Sequence, residues 1–82
     1  MAMADLTIVG ENPGEGTSKS ASVALVQKIL DDSGIKNTLG PMSSVLEADA
    51  DEIWAVIKAC QDALFSAGYK AVSISVRMID KR

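Results

Sequence analysis

One acid stands out among the residues whose types and spacing could do chemistry. Glu47 ends the run Leu39-Gly40-Pro41-Met42-Ser43-Ser44-Val45-Leu46-Glu47, where a Gly-Pro turn leads into a strand of apolar and small hydroxyl side chains. Strand interiors disfavour Glu, and a half-buried carboxylate needs a hydrogen-bonding or cationic partner. Arg77 across the sheet would be a purely structural partner. An aminopyrimidine edge is the other option, because its ring nitrogens and exocyclic amine lie in one plane and suit a carboxylate flanked by hydroxyls. Ser43 and Ser44 precede the acid in the chain, and Thr7 and Ser75 supply hydroxyls from other expected strands.

The remaining candidates for chemistry are weaker. The chain has no His, and it carries neither a Cys-x-x-Cys pair nor clustered acids at metal spacing, so no metal and no catalytic cofactor is expected. Cys60 falls on the apolar stripe of a helix, where a thiol is structural rather than nucleophilic. The run Gly10 to Gly16 resembles a phosphate loop in composition, but Thr17-Ser18-Lys19 stands where Gly-Lys-Ser/Thr is required, and Glu11 and Glu15 would repel a phosphate. Thr17 and Ser18 still place hydroxyls and free amides at a helix start, where they can cap the helix or meet a polar ligand group. Trp54 and Phe65 flank the apolar stripe of the second helix, either as a clamp for a ring or as periphery of the core or of a subunit contact.

These residues need a scaffold, and the local patterns supply one. Residues 4–9 alternate, with Leu6 and Ile8 on one face and Asp5, Thr7 and Val9 on the other, which is the period of a strand. Residues 18–33 read as a helix with Val23, Val26, Ile29 and Leu30 as its stripe, ended by Gly34 with Ile35 over the last turn. Residues 36–39 and 43–48 are short strands. Asp49 with Glu52 forms an acidic variant of the capping box for a second helix. That helix runs to about Ala67, with Ile53, Val56, Ile57, Cys60, Leu64 and Ala67 as its stripe and Gly68 as its stop. Residues 71–79 form the last strand, with Val72, Ile74, Val76 and Met78 on one face and Ser73, Ser75 and Arg77 on the other. The order is strand–helix–strand–strand–helix–strand. It predicts an α+β fold of the split βαβ type: a four-stranded antiparallel sheet with both helices on one face and the first and third strands central.

The opposite sheet face would carry Asp5, Thr7, Val9, Val45, Glu47, Ser73, Ser75 and Arg77. A fully wetted face normally holds more Lys and Glu, so this one reads as partly covered by a second copy, although a modest serine-rich face can also stay wet. The last strand is an exposed edge unless paired. A homo-oligomer is therefore expected through the sheet edges and this face. With 82 residues, one domain is expected over 1–82, and only about 60–65% of its unfolded surface can be buried, which also favours association. The net charge of −3 and the interspersed signs give no basic face for nucleic acid. No apolar run is long enough to span a bilayer, no leader is recognisable, and a single Cys forms no internal disulfide. A cytoplasmic protein with no membrane partner is the expectation.

The chain resembles the small thiamine-binding protein family. The resemblance rests on Gly16-Thr17-Ser18 with Ser20, the Ser33-Gly34 stop, the Leu39-x-Pro41-Met42 turn with Glu47 after it, Cys60-x-x-Ala63-Leu64-Phe65-x-x-Gly68, and Val72-Ser73-x-Ser75 before a basic tail. It implies a ferredoxin-like fold, assembly as dimers or dimers of dimers, and non-catalytic binding of thiamine or its hydroxymethylpyrimidine moiety. Glu47 matches the family's acidic position, and Thr17 and Ser18 match its hydroxyl run. The chain departs from the pattern at Ser43-Ser44, where the family tends to carry Gly-Thr, and at Ala48, where a glycine often follows the acid. It also lacks an aromatic near Asn37 and a polar ring residue near Gly40, which removes stacking surface from a ring pocket. The competing expectation is a structural or regulatory interaction module without a small-molecule ligand; an enzyme ranks last, because these residues do not assemble a base, a nucleophile and a polarising group.

Overall fold

The computed structural model describes residues 1–11, 19–39 and 43–81. Six elements follow in order: β1 (Ala2–Glu11), α1 (Lys19–Asp32), β2 (Lys36–Leu39), β3 (Ser44–Ala48), α2 (Ala50–Ser66) and β4 (Ala71–Asp80). The strands form one antiparallel sheet in the order β2-β3-β1-β4. This is the expected ferredoxin-like α+β arrangement, with β1 and β3 central. The Gly40-Pro41-Met42 turn and the helix start at Thr17 and Ser18 lie outside the described residues.

The two-residue period of β1 sorts its side chains. Ala2, Ala4, Leu6 and Ile8 are buried beneath the helices, while Met3 and Asp5 are exposed and Thr7 and Val9 half-buried on the open face. β3 follows the same rule, burying Ser44, Leu46 and Ala48. α2 closes the core with Ile53, Val56, Ile57, Cys60 and Leu64 at helical spacing. Each large, fully buried side chain of this kind contributes about 1.5–3 kcal/mol. Val72, Ile74, Val76 and Met78 of β4 pack against the same core while remaining partly exposed, because β4 lies at the sheet edge.

β1 is longer than its alternating residues predict. β4 pairs with it from Ala2↔Asp80 to Glu11↔Ala71, so cross-strand hydrogen bonds extend the strand through Gly10, which has little strand preference of its own. β3 reaches only from Ala2↔Ala48 to Leu6↔Ser44. Among the described residues the upper half of β1 is therefore flanked by a strand on one side only. There the Gly10 amide donates to the Ser22 hydroxyl at 3.0 Å.

That bond rotates α1 away from the expected stripe. Ser22 is fully buried and Val23 is 46% exposed, so the inward face is Ser22, Val26 and Leu30, with Ile29 half-buried. A hydroxyl can be buried here because it satisfies a backbone donor. α2 departs from expectation at both ends. Asp49 has the extended N-cap backbone, but its side chain makes no capping bond, so the Asp49–Glu52 box is not formed; both acids face solvent, which competes for them. At the other end Ala67 is exposed. Gly68 adopts φ 104° and donates to the Phe65 carbonyl, while Tyr69 donates to the Leu64 carbonyl at 3.2 Å, which is the Schellman pattern. This stop drops the Tyr69 ring onto Gly10, where a Cβ would sit inside the ring's van der Waals envelope. Gly34, at φ 78°, ends α1 as expected.

Candidate functional site

β1 outruns β3 on its β3-facing edge, and a hollow of about 220 Å³ opens there between the sheet and α1. Its walls are Leu6, Ile8 and Val26, with Val23 and Leu39 among the large apolar side chains left exposed. Thr7, Ser43 and Ser44 bring hydroxyl-bearing residues to the same place. Ser44 is 8% exposed on the helix-facing side, and the Ser43 hydroxyl donates to the Asp5 carboxylate. The volume is below the roughly 300–1,000 Å³ of pockets that enclose drug-sized ligands, and suits a single ring. Thr17 and Ser18 lie outside the described residues; the helix they precede in the chain begins at Lys19 and carries three residues of the hollow.

Glu47 is elsewhere. It follows Ser44 by three residues, about 10 Å along a strand, and it points to the opposite face. Its carboxylate meets the Lys36 ammonium at 2.9 Å, directly across from it in the β2–β3 register. Arg77, the structural partner that the sequence allowed for Glu47, is thus not the one it meets. β1 separates β3 from β4, so the register sets Glu47 beside Met3 and then Ile79, while Arg77 falls opposite Asp5. The hydrogen bond and then the charge of Glu47 raise the Lys36 pKa. A second hollow of about 280 Å³ adjoins Glu47, lined also by Met1, Met3, Ile79 and Lys81. Ser75 lies in register with Thr7 on the open face and lines neither hollow. The hydroxyls and the acid thus divide between two places.

Two further candidates are settled by geometry. Trp54 and Phe65 stand on one continuous helix, eleven residues or about 16 Å apart along its axis, too far to clamp a single ring. Cys60 is buried, and burial pushes its thiol up to about 11, which leaves it protonated and unreactive at neutral pH. Among the described residues no three His, Cys, Asp or Glu side chains gather as a metal site would, and no helix is long and apolar enough to cross a membrane.

Gln27 is the site residue that the sequence reading missed. It lines the first hollow from α1; its Nε2 donates to Asp31 Oδ1 at 2.9 Å and to Asn37 Oδ1 at 3.0 Å. The available signal was its position, four residues after Val23 and three before Leu30, beside an otherwise apolar stripe.

A split βαβ sheet with a ring-sized, largely apolar hollow that Ser44 borders defines a ferredoxin-like chain suited to binding a small molecule. Residues 4–82 match the profile of a family described as Thiamine-binding protein, and the chain belongs to that family. It is 40% identical over 86 residues to the UPF0045 protein YqgV of Bacillus subtilis, covering all of this chain and 82% of the relative. It is 36% identical over 64 residues to the UPF0045 protein sll0230 of Synechocystis, covering 78% of this chain and 53% of that one. Among solved structures it superposes on a domain of unknown function from Bacillus cereus with a TM-score of 0.87 at 21% identity, covering 98% of this chain and 75% of the other. A Thermotoga maritima protein, described as a candidate for thiamine biosynthesis or salvage, aligns with a TM-score of 0.82 at 16% identity, covering 98% and 83%. At such identities these structural likenesses speak for the fold.

Proposed function

We propose that this chain binds thiamine or its hydroxymethylpyrimidine moiety without turning it over, with the ring in the hollow between α1 and the sheet. The observation that carries this reading is an apolar, ring-sized space with Ser44 on its helix-facing wall and Ser43 and Thr7 at its strand edge, in a member of this family. Fold by itself would support many roles. The absence of His from the sequence and the buried thiol of Cys60 favour binding over catalysis. Glu47 is assigned to the second hollow, where Met3 and Ile79, 48% and 54% exposed, offer an apolar contact to another copy. The outer edge of β4 supports the same assembly, because a ten-residue edge strand turns the backbone groups of alternate residues outward. A cytoplasmic homo-oligomer is the setting proposed.

Thermal melting with thiamine, hydroxymethylpyrimidine and a control base tests the ligand. At 100 times its dissociation constant a single-site ligand adds about 2.7 kcal/mol to stability. Solution mass by sedimentation, measured alongside, reads the assembly. An unchanged melting temperature with every pyrimidine refutes the ligand and leaves the interaction module, to which the exposed Met3 and Ile79 also point.

A further inference from the structure

Gln27 carries a polarity that the fold does not require. It is half-buried at the wall of the first hollow, and both hydrogens of its Nε2 are committed, one to Asp31 and one to Asn37. Asn37 is oriented in turn, because its Nδ2 donates to the Ile35 carbonyl at 2.9 Å and so turns its oxygen toward Gln27. Rotating the Gln27 amide by half a turn would press its oxygen against two oxygen acceptors with no proton between them. The relay therefore fixes the amide, with the nitrogen toward Asp31 and β2 and the oxygen away from them.

That oxygen, Oε1, is shielded from solvent, and among the described residues it has no hydrogen-bond partner. Folded chains leave few buried acceptors unmet, since each forfeits its bond to water and gains nothing in return. The hollow that Gln27 lines is also walled by Leu6, Val23, Val26 and Leu39, which offer no side-chain donor, and by Ser43 and Ser44, whose hydroxyls make no bond to Oε1.

We propose that Gln27 Oε1 is the specificity-determining acceptor of this hollow, taking an N–H donor from a flat, uncharged heterocycle, and that Asn37 and Asp31 are positioning residues that hold it ready. The inference rests on the ligand-binding reading above and adds the direction of the hydrogen bond: a ring amine satisfies Oε1, and a ring carbonyl does not. Reaching Oε1 requires the mouth to yield. Val23 and Leu39, 46% and 60% exposed, are the side chains with freedom to rotate aside, and exposed side chains change rotamer in picoseconds to nanoseconds.

Calorimetric titration of the full chain with hydroxymethylpyrimidine, and with the same ring bearing hydrogen in place of its amine, tests this. The wild-type chain should prefer the amine by roughly tenfold to a hundredfold, the span of one hydrogen bond to an otherwise unmet buried group. Gln27→Met, close in length and helix preference, should reduce that preference to about threefold or less. Asn37→Ala should reduce it too while leaving affinity for the amine-free ring unchanged, whereas a merely structural role would weaken both ligands alike. Circular dichroism checks the fold, and Asn37→Ala carries the test if Gln27→Met does not fold. Equal affinity of the wild-type chain for both rings, or an undiminished preference in Gln27→Met, overturns this inference and leaves the binding function standing. A wild-type chain that binds neither ring overturns both.

Discussion

Removing one hydroxyl, by Ser22→Ala, should loosen the end of β1 that borders the ring-sized hollow. Ser22 is fully buried, and its Oγ accepts the Gly10 amide at 3.0 Å. Among the described residues β3 offers that amide no alternative, because its pairing with β1 is described only from Ala2↔Ala48 to Leu6↔Ser44. The substitution leaves a backbone donor without its acceptor, at a cost of about 1–3 kcal/mol. Alanine's better helix preference returns up to about 0.7 kcal/mol. The net loss is then roughly 0.3–2.3 kcal/mol, or about 1–18 °C in melting temperature for a chain of this size. Urea denaturation at fixed protein concentration measures it; the midpoint should fall while the m-value stays constant. A midpoint at or above that of wild type would refute the claim that this hydroxyl ties α1 to the Gly10 end of β1.

Two more outcomes follow from the same region and from the core. Gly10→Ala should cost about 1–3 kcal/mol, because the new methyl overlaps the Tyr69 ring that the α2 stop holds in place; an unchanged melting curve would mean the ring moves freely. The stability of the wild-type chain should fall as pH rises past about 9, because burial moves the Cys60 thiol from 9.0 to about 11 and the unfolded chain therefore loses its proton first. Cys60→Ala should remove that part of the decline in urea midpoints read between about pH 8 and 11, and an identical slope in both chains would contradict the assignment.

Local patterns carried most of the architecture. Leu6 and Ile8 alternating with Asp5, Thr7 and Val9, and the stripe from Ile53 to Leu64, announce their elements because burial periodicity is a property of neighbouring residues. Gly34 and Gly68 mark the helix ends because a left-handed residue is a local need. The resemblance carried by the Pro-Met turn and the hydroxyl run led to the family that the profile match establishes.

The candidate site was legible in its parts and not in its arrangement. Thr7, Ser43 and Ser44 were picked out by type, and the fold brings them to one hollow; Glu47 and Ser75 were picked out on the same grounds and lie outside it. The difference lies in strand register, which assigns each side chain to one face or the other and names its cross-strand neighbour. Register gave Glu47 to Lys36 instead of Arg77. Among the described residues it also pairs β3 with β1 only as far as Leu6↔Ser44, and the hollow lies beside that end. The rotation of α1 that buries Ser22 and exposes Val23 answers to a backbone donor twelve residues away, and the orientation of Gln27 answers to Asn37 on β2. Composition and spacing thus determined which elements form and where they stop, since those energies are spent within a few neighbouring residues. Which polar groups face one another was decided only when the sheet closed, because each such contact depends on the positions of segments distant in the chain.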